Sequence, residues 1–333
     1  MSGRQLGIRR RLGALCALAA LLLASPAMAA DWVPSKQVRI VAPAAPGGLT
    51  DILSRMLASH LQQQWGQPIV VENRSGGGGT IGAALVAQSA PDGHVVLMGN
   101  FGPNAVAYSL FRNMPYRPES LTPVSNILIG PNVLVVNPRV PAQNLAEFIA
   151  YVRANPGRLN YGSSGVGQSP HLGAVWFMQL VGTRATHVPY RGAAPAMLGL
   201  INGEIQFMFD NLSTELPAIR DGRVRALAVT TATRSPHLPD VPSVREGAPE
   251  LANYDLPFFF GLFVAGETPP PIVEAWNRQI RTFVELPATQ ARFHDLAGTG
   301  AWDTPDAFKT FVDGQIARWR DVISREGLTL EID

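Results

Sequence analysis

The stretch Val38–Arg55, VRIVAPAAPGGLTDILSR, constrains the fold more than any other part of the chain. Val38, Ile40 and Val41 lead a β-branched run suited to a buried parallel strand. Pro43, Pro46, Gly47 and Gly48 then interrupt regular structure. Thr50 can cap a helix whose apolar positions Ile52, Leu53, Met56, Leu57 and Leu61 share one face. A strand that passes through a glycine turn into a helix N-terminus gathers free backbone N–H groups at the positive end of the helix dipole, and such a place suits an anion. Glycines also make ordinary tight βα turns. The anion reading is favoured because a turn of the same kind recurs midway along the chain.

The first 29 residues are set apart from this fold. Arg4, Arg9, Arg10 and Arg11 form a basic segment, Leu12–Leu23 is apolar, and Ala27-Met28-Ala29 has the small-x-small pattern of a cleavage site. This is the pattern of a secretory signal peptide cut after Ala29, which implies a periplasmic mature protein. The chain carries 27 Lys and Arg against 25 Asp and Glu; the four arginines above and no acid precede Ala30, so the mature part has 23 against 25, net −2. No basic block remains to suggest nucleic acid. The single cysteine, Cys16, lies in the apolar segment, so the mature chain has no thiol nucleophile, disulfide or cysteine metal ligand.

Of the 333 residues, 46% are hydrophobic and 16% charged, enough for one large α/β domain or two of ordinary size. Strands at Gln67–Glu72 and His94–Gly99 alternate with helices, including one at Thr80–Gln88, which predicts a parallel, doubly wound sheet whose ligands sit beyond the C-terminal strand ends. Leu121–Leu128 and Asn132–Asn137 read as two strands around Gly130-Pro131, where the chain crosses into a second domain. There Leu159–Tyr161, the loop Gly162–Ser169 and the helix Pro170–Leu180 repeat the strand–turn–helix unit. Glu204–Phe209 is a strand ending at Asp210-Asn211, and Val224–Thr230 is taken as the return crossing. Gly77-Gly78-Gly79-Thr80-Ile81-Gly82 satisfies G-x-G-x-x-G, but the acid expected about twenty residues on is replaced by Asn100 and Phe101, so no dinucleotide is expected. A phosphate-binding P-loop would need a Lys-Ser/Thr pair after its glycines, and none follows.

No catalytic constellation is legible. Gly162-Ser163-Ser164-Gly165 lacks the G-x-S-x-G spacing of a nucleophile elbow, and the six histidines show no metal-type i, i+4 pairing. Neither a metal nor an organic cofactor is expected. His171, just after the Gly/Ser loop, is placed to donate a hydrogen bond to an anion. Asp51 and Asp210 both close strand-to-helix turns; they are read as helix caps or as acceptors from loop amides that shape a pocket, with Asp51 orienting the glycine loop. Phe258-Phe259-Phe260 is read as core or domain interface, with one ring reaching the cleft.

Nine segments in order, among them PSKQVRIVAPAAPGGLTD, QPIVVENRSGGGGTIGA, LNYGSSGVGQSPHL, HVPYRGAAPA, FMFDN and GLFVAGETPPPIV, resemble the periplasmic solute receptors of tripartite tricarboxylate transporters, the TctC-like or Bug proteins. The resemblance spans the mature chain from about Pro34. It implies a two-lobed periplasmic binding protein of the Venus-flytrap type (type II), with residues 30–128 plus 232–333 as one lobe and 129–231 as the other, joined by crossing strands. It implies no enzymatic activity. The expected ligand is a small carboxylate, held by backbone amides and bridging waters from both lobes and delivered to integral-membrane permease subunits by a monomeric receptor. Carried onto this sequence, the ligand residues are Ala44, Ala45, Gly47, Gly48, Asp51, Asn100, Phe101, Ser163, Ser164, Gly165, Gln168 and Asp210, to which the reading of the helix start adds His171. A sensor subunit presenting its ligand to a signalling partner would use the same site; a periplasmic hydrolase would need a nucleophile–base pair. Two departures stand out. Ser75 and four glycines replace a turn that usually includes proline and alanine, and the three phenylalanines replace a strand that usually has polar residues and a tryptophan. Were those rings to line the cleft, an aromatic or less polar acid would become more plausible.

Overall fold

The computed structural model describes residues 32–327 and residue 329; the signal peptide and its cleavage site lie outside the described residues. The β-branched runs at the start of the mature chain form β1 (Val38–Ala42), β2 (Ile69–Asn73) and β3 (Val95–Asn100), with β1 parallel to both neighbours. The crossovers run through α1 (Leu49–Trp65) and through α2 (Thr80–Ala87). Beyond β3 the sheet turns antiparallel. β9 (Pro257–Ala265) pairs with β3 on one side and with β4 (Leu121–Val136) on the other. In the second half β4 pairs antiparallel with β7 (Phe207–Asn211) and β8 (Arg225–Val229). β7 continues in parallel to β5 (Asn160–Ser163), and β5 to β6 (Thr186–Pro189). The order is β2-β1-β3-β9-β4-β7-β5-β6, with β10 (Thr299–Gly300) added along β4. The sheet is therefore mixed, correcting the all-parallel expectation: β4 and β9 run against their neighbours.

β4 also corrects the expectation of two strands broken at Gly130-Pro131. It is one 16-residue strand. Pro131 opposes Pro257 of β9, and the next residue, Asn132, opposes Asn211 of β7. The missing N–H of Pro131 thus falls where the strand exchanges one partner for another, so proline is tolerated inside it. Thr230 ties the junction together. Its hydroxyl donates to Leu256 O (2.7 Å), its N–H donates to Asn132 O (2.9 Å), and its Oγ1 accepts from Asn132 N–H (2.9 Å). β8 pairs with β4 over Val133–Val136, the same residues that pair with β7 along the opposite edge. Between β8 and β9, Ser243 bridges Val229, Gly247 lies against Leu145 and Ile149, and the Tyr254 hydroxyl donates to Gly173 O at 2.9 Å.

The remaining helices cover the sheet. They are α3 (Ala107–Leu110), α4 (Leu145–Ala154), α5 (Ser169–Leu180), α6 (Ala193–Asn202), α7 (Leu212–Arg220), α8 (Pro270–Glu285), α9 (Pro287–Asp295) and α10 (Pro305–Glu326). Asn144 caps α4 by accepting from Glu147 N–H at 2.9 Å, and Thr304 caps α10 through Ala307 N–H at 3.3 Å. One apolar core runs from Val41, Leu97 and Phe101 through Trp319 to Trp176, Phe177 and Phe209. A smaller one, with Val133, Val135, Leu200, Met208 and Leu212, lies in the second half. Phe258, Phe259 and Phe260 are all buried, which corrects the expectation that one ring reaches a cleft. Both edges of β9 are paired, with β3 and β4, and its side chains are packed: Phe259 lies edge-on to Phe308 and Phe311 of α10, and Phe258 meets Phe260 edge-on. Among the described residues no helix is long and apolar enough to cross a membrane.

Candidate functional site

The turn after β1 is held by three side chains. Gly48, not Thr50, is the N-cap of α1, and the first helical bond runs from Ile52 N–H to Gly48 O (3.0 Å). Gly47 adopts φ +85°, a left-handed conformation that suits glycine. Buried Asp51 accepts from Gly47 N–H at 2.9 Å and pairs with Arg55 at 3.0 Å. Burial pushes the Asp51 carboxyl up, but the Arg55 guanidinium, the Gly47 N–H and the Asn73 amide outweigh it and hold the carboxyl below its ordinary value. Asn73, at the end of β2, donates to Ala44 O (3.2 Å). Ala45, Gly47 and Gly48 stay exposed. The exposed turn thus leads directly into α1, whose first residues Leu49, Thr50 and Asp51 are buried. Asn73 and Arg55 were not singled out from sequence; a polar residue at a strand's C-terminal end was the available signal, as at Asn100.

The β3 end adjoins this turn. Asn100 is buried; its amide donates to Thr50 Oγ1 (3.4 Å), its Oδ1 accepts from Gly102 N–H (3.1 Å), and its own N–H reaches Asn104 Oδ1 (3.0 Å). Phe101 turns its ring into the core, edge-on to Trp319 at 5.0 Å.

In the second half, the loop between β5 and α5 is shaped by its own side chains. Ser163 is fully buried; its hydroxyl donates to Gly165 O (3.2 Å) and lies 2.7 Å from His187 Nε2. His171 Nδ1 accepts from Gly167 N–H at 3.2 Å, so its proton sits on Nε2, and its ring stacks on His187 at 4.1 Å. Burial together with His187 pushes His171 down to about 3, and burial pushes His187 down to about 4, so both are neutral near pH 7. His171 therefore holds the loop as a neutral acceptor. The Ser163–His187 pair has the chemical identity of a nucleophile and base, but the serine is sealed from solvent and its hydroxyl is committed to the loop.

Gln168 joins the two halves. Its Nε2 donates to Gly78 O at 2.8 Å, in the tetraglycine turn before α2. A methyl group on Gly78 would lie 2.8 Å from Val166 O; on Gly102 it would lie 2.5 Å from Gln168 Nε2. The chain of contacts Thr50–Asn100–Gly102–Gln168 thus brings the start of α1 and the start of α5 to one place. Gln168, a candidate ligand residue from sequence, uses its amide to bridge. Gly78 belongs to the tetraglycine run that also carries the false dinucleotide motif, and neither reading points to this bridge.

Asp210 closes β7 and is fully buried. Burial pushes its carboxyl up to about 7, against the opposing pull of Asn211 N–H and the Ser164 hydroxyl. Glu215 in α7, not recognised from sequence, is also fully buried, and burial with Asp210 beside it raises it well above the ordinary range. An acid whose folded value is raised binds its proton more tightly folded than unfolded, so its contribution is favourable at low pH and is lost as pH rises toward the folded value. Denaturant midpoints should show the stability difference between Asp210→Asn and the native chain shifting in favour of the variant from about pH 4 to about pH 7. A pH-independent difference would contradict the burial of an ionisable group there. Among the described residues no group of three or more histidines, cysteines or acids could hold a metal ion.

The turns, the bridge and the shared strand β4 meet their relatives here. A family model described as tripartite tricarboxylate transporter family receptor matches residues 53–328. The chain belongs to this family. It is 35% identical over 312 residues to the protein BugT of Bordetella pertussis, covering 93% of this chain and 94% of that one. Among solved structures, R. palustris Rpa4515 with adipate is 34% identical at a TM-score of 0.84, covering 90% of this receptor and all of that chain. MatC (Rpa3494) from Rhodopseudomonas palustris with bound malate is 33% identical at a TM-score of 0.81, covering 87% and 99%. The receptor has the two-lobed α/β fold of periplasmic binding proteins, as expected from the sequence, and its family is one of solute receptors, not of enzymes.

Proposed function

We propose that the receptor captures a small organic carboxylate between the turn Ala44–Asp51 and the loop Ser163–Ser169 and delivers it to membrane permease subunits of a tripartite tricarboxylate transporter. The observation that carries this reading is the contact chain Thr50–Asn100–Gly102–Gln168, which brings the N-termini of α1 and α5 to one place. Relatives with adipate and with malate bound support the ligand class. We further take residues up to Pro131 and from Pro257 onward as one lobe and the intervening segment as the other, because β4 exchanges partners at Pro131/Asn132 and β9 begins at Pro257. Closure of the lobes excludes water and brings both turns onto the ligand.

Thermal unfolding of the mature protein, refolded to strip any carried ligand, against a panel of small acids tests this. An acid at a hundred times its dissociation constant should add about 2.7 kcal/mol, a shift of a few degrees. Stabilisation by amines or neutral sugars and by no acid would overturn the proposal.

A further inference from the structure

Two buried carboxyls beside the Gly/Ser loop are unexplained by folding alone. Asp210 and Glu215 are both fully buried; among the described residues no ion pair reaches either, and Asp210 Oδ2 and both Glu215 oxygens have no hydrogen-bond partner. The elements packed on β7 bring no compensating charge. β4 and α6 carry no titratable side chain, β5 brings Tyr161, α5 brings His171, and α7 brings Glu215, with Arg220 exposed at its far end. His171 is neutral, as its buried, amide-accepting ring requires. An ionised Asp210 would be a buried charge without a counter-ion, which protonation relieves.

We propose that Asp210 is the proton-holding member of the ligand site, so that the receptor takes up its carboxylate together with a proton from solvent. This rests on the reading that Ser163–Ser169 faces the ligand. The link is Ser164, which follows β5 where its parallel register with β7 (Tyr161 beside Phe207, Gly162 beside Met208) runs on toward Asp210, and whose hydroxyl pulls the Asp210 carboxyl down. An arriving carboxylate competes for that O–H and sets a second negative charge nearby, and both effects favour protonated Asp210. Once protonated, the acid O–H donates to Ser164 Oγ, and the serine O–H is released to donate to the ligand. No bond of the ligand changes. Asp210 is in this sense a positioning residue acting through Ser164.

The test uses adipate and malate as probes from about pH 6 to about pH 9, where both are already ionised. Titration calorimetry gives the dissociation constant, and repeating it in two buffers of different ionisation enthalpy gives the protons taken up. Affinity should be level below about 7, the Asp210 value, and should fall by up to about tenfold per pH unit above it, with up to one proton bound per ligand. Asp210→Asn, nearly isosteric and unable to ionise, should remove both the pH dependence and the proton uptake. Native binding with no pH dependence and no proton uptake, or the same profile in Asp210→Asn, overturns the proton linkage and leaves the receptor reading standing. Absence of binding by any acid at every pH overturns both.

Discussion

Gly78→Ala weakens carboxylate binding by roughly ten- to a hundredfold while the ligand-free protein remains folded. Gly78 has φ +64°, and a methyl there would lie 2.8 Å from Val166 O and 3.3 Å from the Phe111 ring. The left-handed backbone costs a non-glycine residue about 1 kcal/mol, and that cost is present whether or not ligand is bound. The contact with Val166 arises when the Gly/Ser loop is seated on the tetraglycine turn, and the proposed function makes that seating part of the ligand-holding arrangement. Gln168→Ala separates the two effects. It removes the bond to Gly78 O without adding bulk, and the loss of one neutral hydrogen bond corresponds to about 1 kcal/mol, a several-fold loss of affinity. Calorimetric affinities of both variants, with thermal unfolding of each without ligand, decide the matter. Native affinity in Gly78→Ala would show that the bridge between the halves does not form part of the binding-competent state.

Asp51→Ala should lower affinity by about ten- to a hundredfold, because hydrogen bonds to a charged acceptor are worth roughly 1.5–3 kcal/mol. The carboxylate is the only tie that the side chains described above make to Gly47 N–H, and Gly47 sets the backbone from which the α1 amides project. Arg55 is more than half exposed, so leaving it without its partner costs little. Asp51→Asn retains an acceptor for Gly47 and should lose less. Because the Asp51 carboxyl is held below its ordinary value, its support is fully present above the ordinary carboxylate range and is lost only as pH falls through the lowered value. Equal affinities for Asp51→Ala and the native chain would show that the turn holds its shape without the carboxylate.

The strand–turn–helix units were legible from sequence because β-branched runs, glycines and helical periodicity coincide at Val38–Arg55 and again at Leu159–Leu180. What escaped was set by distant partners. Gly130-Pro131 has the composition of a break, and only the exchange of β9 for β7 at that point lets one strand run through it. Three consecutive phenylalanines are compatible with a cleft wall or a core; the packing laid over β9, with α10 against Phe259, decides for the core. Glu215 looks like any helical glutamate until α7 is laid against the sheet and seals it. Gln168 sits in a loop read as ligand-binding, but its amide reaches Gly78, ninety residues away in the chain. The anion-ready turns are local features, whereas the bridge and the buried acid pair are long-range ones, and local pattern carries no information about the latter.

The most direct test is a crystal structure of the refolded mature protein grown with the acid that most raises its unfolding temperature. One carboxylate should lie between Ala44–Asp51 and Ser163–Ser169, within hydrogen-bond reach of backbone amides from both. A ligand seated elsewhere, for instance in the surface groove lined by Ala87, Arg117, Glu119 and Glu267, would contradict the two-turn site.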